Sequence, residues 1–132
     1  VRLIGPQHGP SPRALPDNIR CLPALSHEAA LQAMAEFDVG LIPFKCNDIT
    51  RYVDPIKYYE YRALGLPVVS TAFGEMGTRR HLPGVFLSDS LDDISRVIHQ
   101  ALTFTEPLAE TLKFREANSW AKRFEGAHAA FL

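Results

Sequence analysis

Lys57 and Glu60 are the residues of this 132-residue chain whose types and spacing point most directly to chemistry. Asp54-Pro55 reads as a helix start, with Asp54 as N-cap and proline at the first helical position, where its missing N–H costs nothing. Lys57 then falls in the first turn, at the positive end of the helix dipole. A cation there is disfavoured by about 0.3–1 kcal/mol unless an anion shares the site. The unpaired amides of that turn, together with the ammonium, would suit a phosphate. Glu60 borders the face that Ile56, Tyr59 and Ala63 share at helical spacing. A carboxylate beside a buried face needs partners. Two sugar hydroxyls are one possibility, since acidic residues hold ribose in this way in dinucleotide folds. The plainer alternatives stay open: Lys57 exposed or paired with Glu60, and Glu60 bridged to Lys57 or Arg51, or exposed.

The elements that must position these residues follow from hydrophobic patterning. Residues 1–5 (VRLIG) and 18–22 (NIRCL) read as short strands, separated by a stretch with five prolines or glycines between Pro6 and Pro16. Ser26 is placed to cap a helix carrying Ala30, Leu31, Met34 and Phe37 on one face. Residues 39–44 (VGLIPF) form a nearly continuous apolar run, typical of a strand covered on both faces. After the polar loop 45–53 comes the helix begun at Asp54-Pro55. Gly65 should close it, and Pro67 prevents its continuation. Residues 68–71 (VVST) and 84–88 (GVFLS) are further strands. Between them lie a glycine-rich loop, 72–77, and a basic turn, Arg79-Arg80-His81. Ser90, with Asp93 three residues on, predicts another helix start, with Ile94, Val97, Ile98 and Ala101 facing inward. Helical patterns over 107–117 and 119–131 finish the chain, the last amphipathic through Trp120, Phe124, Ala127 and Phe131.

Apolar strands alternating with amphipathic helices imply an α/β domain: a Rossmann-like, mostly parallel sheet flanked by helices. Ligands in such sheets bind at the carboxyl ends of the strands, so the loops after Gly5, Leu22, Phe44 and Thr71 are where a site belongs. The whole of 1–132 reads as a single domain. A formal net charge of −1 argues against nucleic acid as the partner. Cys21 and Cys46 have no metal-ligand spacing and do not suggest a disulfide framework, so a reducing cytoplasm is the default. No run approaches the length of a membrane-spanning helix. The chain opens on an apolar strand without an initiator Met, as expected of a piece of a longer enzyme.

The run DPIKYYEYRALGLPVVST (54–71) resembles the signature of retaining GT-B glycosyltransferases of family four. There a proline-x-lysine helix start precedes a glutamate, a glycine turn and Pro-Val-Val. SHEAALQAMAEFDVGLIPF, the opening VRLIGP, the run NIRCLPALS and the tail NSWAKRF match the same family in order and spacing, so the resemblance covers nearly the whole chain. It implies the C-terminal, nucleotide-sugar-binding half of a GT-B fold. Glu60 would hold the ribose hydroxyls. Lys57, with the amides of Ile56 and Lys57, would face the phosphates and sugar. Pro23, Ala24 and Leu25 would contact the nucleobase, largely through backbone. The family's first glutamate would fall at Tyr52, a departure that leaves Asp54 as the nearest acid. The family's first strand and helix, with the Arg and Lys that grip pyrophosphate, have no counterpart here, which predicts a gap in the sheet.

The function expected is therefore transfer of a hexose from a nucleotide-sugar to an acceptor glycan or lipid-linked sugar, in polysaccharide biosynthesis. It would need an N-terminal GT-B domain as partner, and no metal or other cofactor. No catalytic residue is assigned within this chain, which alone should be inactive. The enzyme would be cytoplasmic, with a membrane-peripheral location compatible with such acceptors. Two other readings remain: a nucleotide-sugar epimerase of the same fold, and a non-catalytic α/β interaction module. His8, His27, Arg79 and Arg80 are weaker candidates, and the two arginines read as exposed surface.

Overall fold

The computed structural model describes residues 1–6, 9 and 15–125. His8, Ala127 and Phe131 lie outside the described residues. The architecture is α/β, with small parallel sheets flanked by helices. The chain divides into two compact units, Val1–Glu36 and Phe37–Leu132.

The first unit holds β1 (Arg2–Ile4), β2 (Arg20–Leu22) and α1 (His27–Met34). β1 and β2 pair in parallel, Leu3 opposite Cys21. The Ser26 hydroxyl accepts the Ala29 amide at 3.2 Å, the N-cap expected from the sequence.

The second unit holds β3 (Gly40–Ile42), β4 (Val68–Thr71) and β5 (Val85–Ser88) in a parallel sheet of that order. The strands thus form two sheets, and no described strand belongs to both. Register explains the covering of the central sheet. Leu41, Val69 and Phe86 align across it, and α4 (Ile94–Leu102) packs Val97, Ala101, Ile94 and Ile98 against that row. Side chains alternate along a strand, so Gly40, Val68 and Val85 point to the other face. There α2 (Ile56–Ala63) lies so close that a Cβ at Gly40 would sit 2.2 Å from the Tyr61 ring. Val68 and Val69 are almost wholly buried, as a doubly covered parallel strand requires.

α2 closes as the sequence predicts. Gly65 takes φ +77, the Leu66 amide bonds the Tyr61 carbonyl and the Gly65 amide bonds that of Arg62, a Schellman ending. Its buried face is a correction: Tyr58, Tyr61 and Arg62 are buried, whereas Ile56 is 61% exposed. Arg62 is held by the Glu106 carboxylate and by the Leu66 carbonyl at 3.1 Å. The glycine-rich stretch forms a short helix, α3 (Gly74–Thr78). Ser90 does not cap α4. A 3-10 turn, Leu91–Asp93, intervenes, and the Ser90 carbonyl accepts the Ser88 hydroxyl and the Asp93 amide.

α5 (Leu108–Ala117) packs against α2, with Arg115 bonding the Ala63 carbonyl at 2.5 Å. α6 (Trp120–Phe124) is capped by Ser119, and its Trp120 and Phe124 rings stack at 5.9 Å while remaining largely exposed. Among the described residues no helix is long and apolar enough to cross a membrane.

Candidate functional site

The carboxyl ends of β3 and β4 lead into the segments that the sequence marks for binding. The two ends are tied together: the Ser70 hydroxyl donates to the Ile42 carbonyl at 3.0 Å, and the Thr71 hydroxyl donates to the Phe44 carbonyl. Beyond β3 the polar loop folds on itself. Asn47 accepts the Ile49 and Thr50 amides through its side-chain oxygen, both at 3.0 Å, an Asx turn that leads into a 3-10 turn, Thr50–Tyr52. Tyr52 and Ile49 project from this loop, each 81% exposed.

Asp54 is not the N-cap of α2. The cap residue is Pro55, and no side chain caps this helix. The Asp54 carboxylate is engaged elsewhere: it accepts from Arg79 at 2.8 Å and from the Tyr59 hydroxyl at 2.7 Å. Arg79 also donates to the Tyr59 hydroxyl at 2.9 Å, and its guanidinium lies 4.2 Å above the Tyr58 ring. Arg79 is therefore not exposed surface: its side chain keeps only 11% of its accessibility. The bond to Arg79 carries charge on both partners, whereas a cap bond carries it on the acceptor alone, which favours the choice Asp54 makes. Arg80, by contrast, is exposed and pairs with Asp89 at 2.5 Å.

The Lys57 ammonium bonds the Glu60 carboxylate at 2.5 Å, one of the arrangements that the spacing allowed. Glu60 is the more covered partner, its side chain 11% exposed against 48% for Lys57. Ile56, Lys57 and Glu60 thus share the first turns of α2, and Asp54 lies just before them. Pro23, Ala24 and Leu25 follow β2 in the first unit and are exposed.

A cleft of about 460 Å³ opens between α2 and α5, lined by Tyr58, Tyr59, Arg62, Arg79, Phe114 and Asn118 among others. Neither Lys57 nor Glu60 lines it. Its guanidiniums are already committed, Arg62 to Glu106 and Arg79 to Asp54. Burial is the main cause that pushes the Tyr58 hydroxyl above its ordinary range, with Arg79 and Arg62 pulling the other way. Burial also raises Tyr59, and its bond to Asp54 raises it further. Among the described residues no three His, Cys, Asp or Glu side chains are grouped to hold a metal ion.

Sequence reasoning named Arg79 only as a weaker candidate on the surface and missed its bonds. Its partners lie 25 and 20 positions away, Asp54 and Tyr59, and no local spacing rule connects such positions. No protein-family model matches this chain, and neither a curated protein nor a solved structure is found to be similar to it.

Proposed function

We propose that this chain binds the nucleotide and diphosphate of a nucleotide-sugar at the start of α2, as the donor half of a glycosyltransferase. One observation carries the reading: the Asp54 carboxylate, just before α2, is committed to Arg79 and Tyr59, and no side chain caps the helix start. The amides of Ile56 and Lys57 belong to the first helical turn, which has no acceptors within its own helix. They combine with the helix dipole and the Lys57 ammonium into a site for a diphosphate. Its place after the carboxyl end of a parallel strand is where α/β sheets hold ligands.

In this reading the diphosphate takes a share of the Lys57 ammonium, and Glu60, one turn on, accepts from the ribose hydroxyls. Charge that develops on the departing diphosphate is stabilised by groups already in place. The acceptor, a glycan or lipid-linked sugar, is held with the help of a further domain, and closure of the two is needed for turnover.

Titration of the chain with UDP, GDP, ADP and dTDP by calorimetry tests this, with Lys57→Ala and Glu60→Ala alongside. Saturable binding of one nucleotide is expected, weakened at least tenfold, about 1.4 kcal/mol, by either substitution. Absence of binding by all four refutes the reading.

A further inference from the structure

The first turn of α2 has no side-chain cap, yet the residues that lead into it are held from outside at two points. Both come from the segment after β4. The Glu75 amide, at the start of α3, bonds the Val53 carbonyl at 3.2 Å. Gly74, at φ +42, allows that approach: a Cβ there would lie 2.4 Å from the same carbonyl oxygen. One turn further on, Arg79 reaches Asp54 and the Tyr59 hydroxyl, while Tyr59 itself bonds Asp54. Asp54, Tyr59 and Arg79 thus form a closed triangle of hydrogen bonds, with edges of 2.7–2.9 Å, and the Tyr58 ring lies beneath the guanidinium.

We propose that Arg79 is a positioning residue: through Asp54 and Tyr59 it sets the first turn of α2, and with it the amides and side chains of Ile56, Lys57 and Glu60. This rests on the donor reading for its consequence in binding, but the clamp itself is a claim about the ligand-free protein. The argument is geometric. Asp54 precedes the helix and Tyr59 lies within it, so an arginine that bonds both fixes the helix start relative to its own second turn. The planar guanidinium presents several donors in a rigid fork and can serve two acceptors at once. Pro55 supplies no side-chain cap bond to that turn. Sites held by a rigid supporting shell bind better than sites that must be ordered at the moment of binding.

The test compares the 132-residue chain with Arg79→Gln and Tyr59→Phe. Amide NMR is recorded without ligand, and each protein is titrated with inorganic pyrophosphate and the four nucleoside diphosphates. The expected result is displaced or broadened Ile56 and Lys57 amide resonances, unchanged Val68, Val69 and Ser70 resonances, and affinity lowered about tenfold. A purely structural role for Arg79 would move the β4 resonances as well, and that result overturns the proposal. So do unmoved Ile56 and Lys57 resonances, or affinity within twofold of wild type. Tyr59→Phe keeps the ring and removes two edges of the triangle but leaves the Arg79–Asp54 pair, so it carries the same prediction, at smaller amplitude, should Arg79→Gln not fold. If wild type binds none of the ligands, the donor reading falls, and the ligand-free resonances alone decide the clamp: moved amides uphold it and unmoved amides overturn it.

Discussion

Removing Glu106 should destabilise the second unit far more than removing Glu106 and Arg62 together. The pair is nearly desolvated, with side-chain exposures of 6% for Arg62 and 5% for Glu106. Arg62 has one further acceptor, the Leu66 carbonyl, and its guanidinium lies 5.9 Å from the ring centres of both Phe104 and Phe114. Glu106→Ala leaves that guanidinium charged, buried and short of an acceptor. Breaking a buried pair in this way costs about 3–5 kcal/mol. Both residues line the α2–α5 cleft, so water entering there relieves part of the penalty and places the expected loss near 3 kcal/mol. Against a typical total of about 5–15 kcal/mol, such a loss is large. Arg62→Met with Glu106→Leu removes both charges and refills the space, so the double variant should lie within about 1.5 kcal/mol of wild type. Urea unfolding at constant m-value measures each species. The reasoning is refuted if Glu106→Ala costs under about 1 kcal/mol, or if the double variant costs the sum of the two single ones.

Two other predictions follow from close packing and from burial. Gly84→Ala combines φ +70 with a Cβ 2.3 Å from the Arg62 guanidinium, and Gly40→Ala drives a Cβ into the Tyr61 ring; each should lower stability by about 1–3 kcal/mol, read as a lower urea midpoint, and a midpoint equal to wild type would contradict the packing. Tyr58, Tyr59 and Tyr61 all hold their protons to higher pH when folded, chiefly through burial. The unfolded chain therefore ionises first, at about pH 10. The stability these residues contribute is complete below that pH and is lost as pH rises through the folded values. A urea midpoint that falls as the pH rises above about 10, and falls less in Tyr58→Phe, is the expected result; a midpoint that rises with pH there would contradict the sign.

Local signals in the sequence found most of the elements, because they act over a few residues. Ser26 caps α1 since its hydroxyl reaches the amide three residues on, a contact that depends on nothing else in the molecule. Gly65 ends α2 because only a residue without Cβ enters the left-handed region freely. The apolar runs around Leu41 and Val69 became covered parallel strands. The same reasoning failed where two local answers compete. The turn of α2 carries apolar or aromatic residues on more than one face, and the sequence favoured Ile56, Tyr59 and Ala63. The structure buries Tyr58, Tyr61 and Arg62, since Gly40 opens room for Tyr61 and Glu106, 44 residues away, supplies the charge that lets Arg62 go inside.

Asp54 divides the two kinds of information most sharply. By itself the sequence determined that a polar residue and a proline begin a helix after a buried strand, and that Lys57 and Glu60 stand three apart within it; backbone geometry guarantees as much. Which bond Asp54 makes was decided only by the tertiary structure. A carboxylate takes the strongest donor within reach, and the fold brings Arg79 to 2.8 Å from it. A helix that looked capped therefore begins without a side-chain cap.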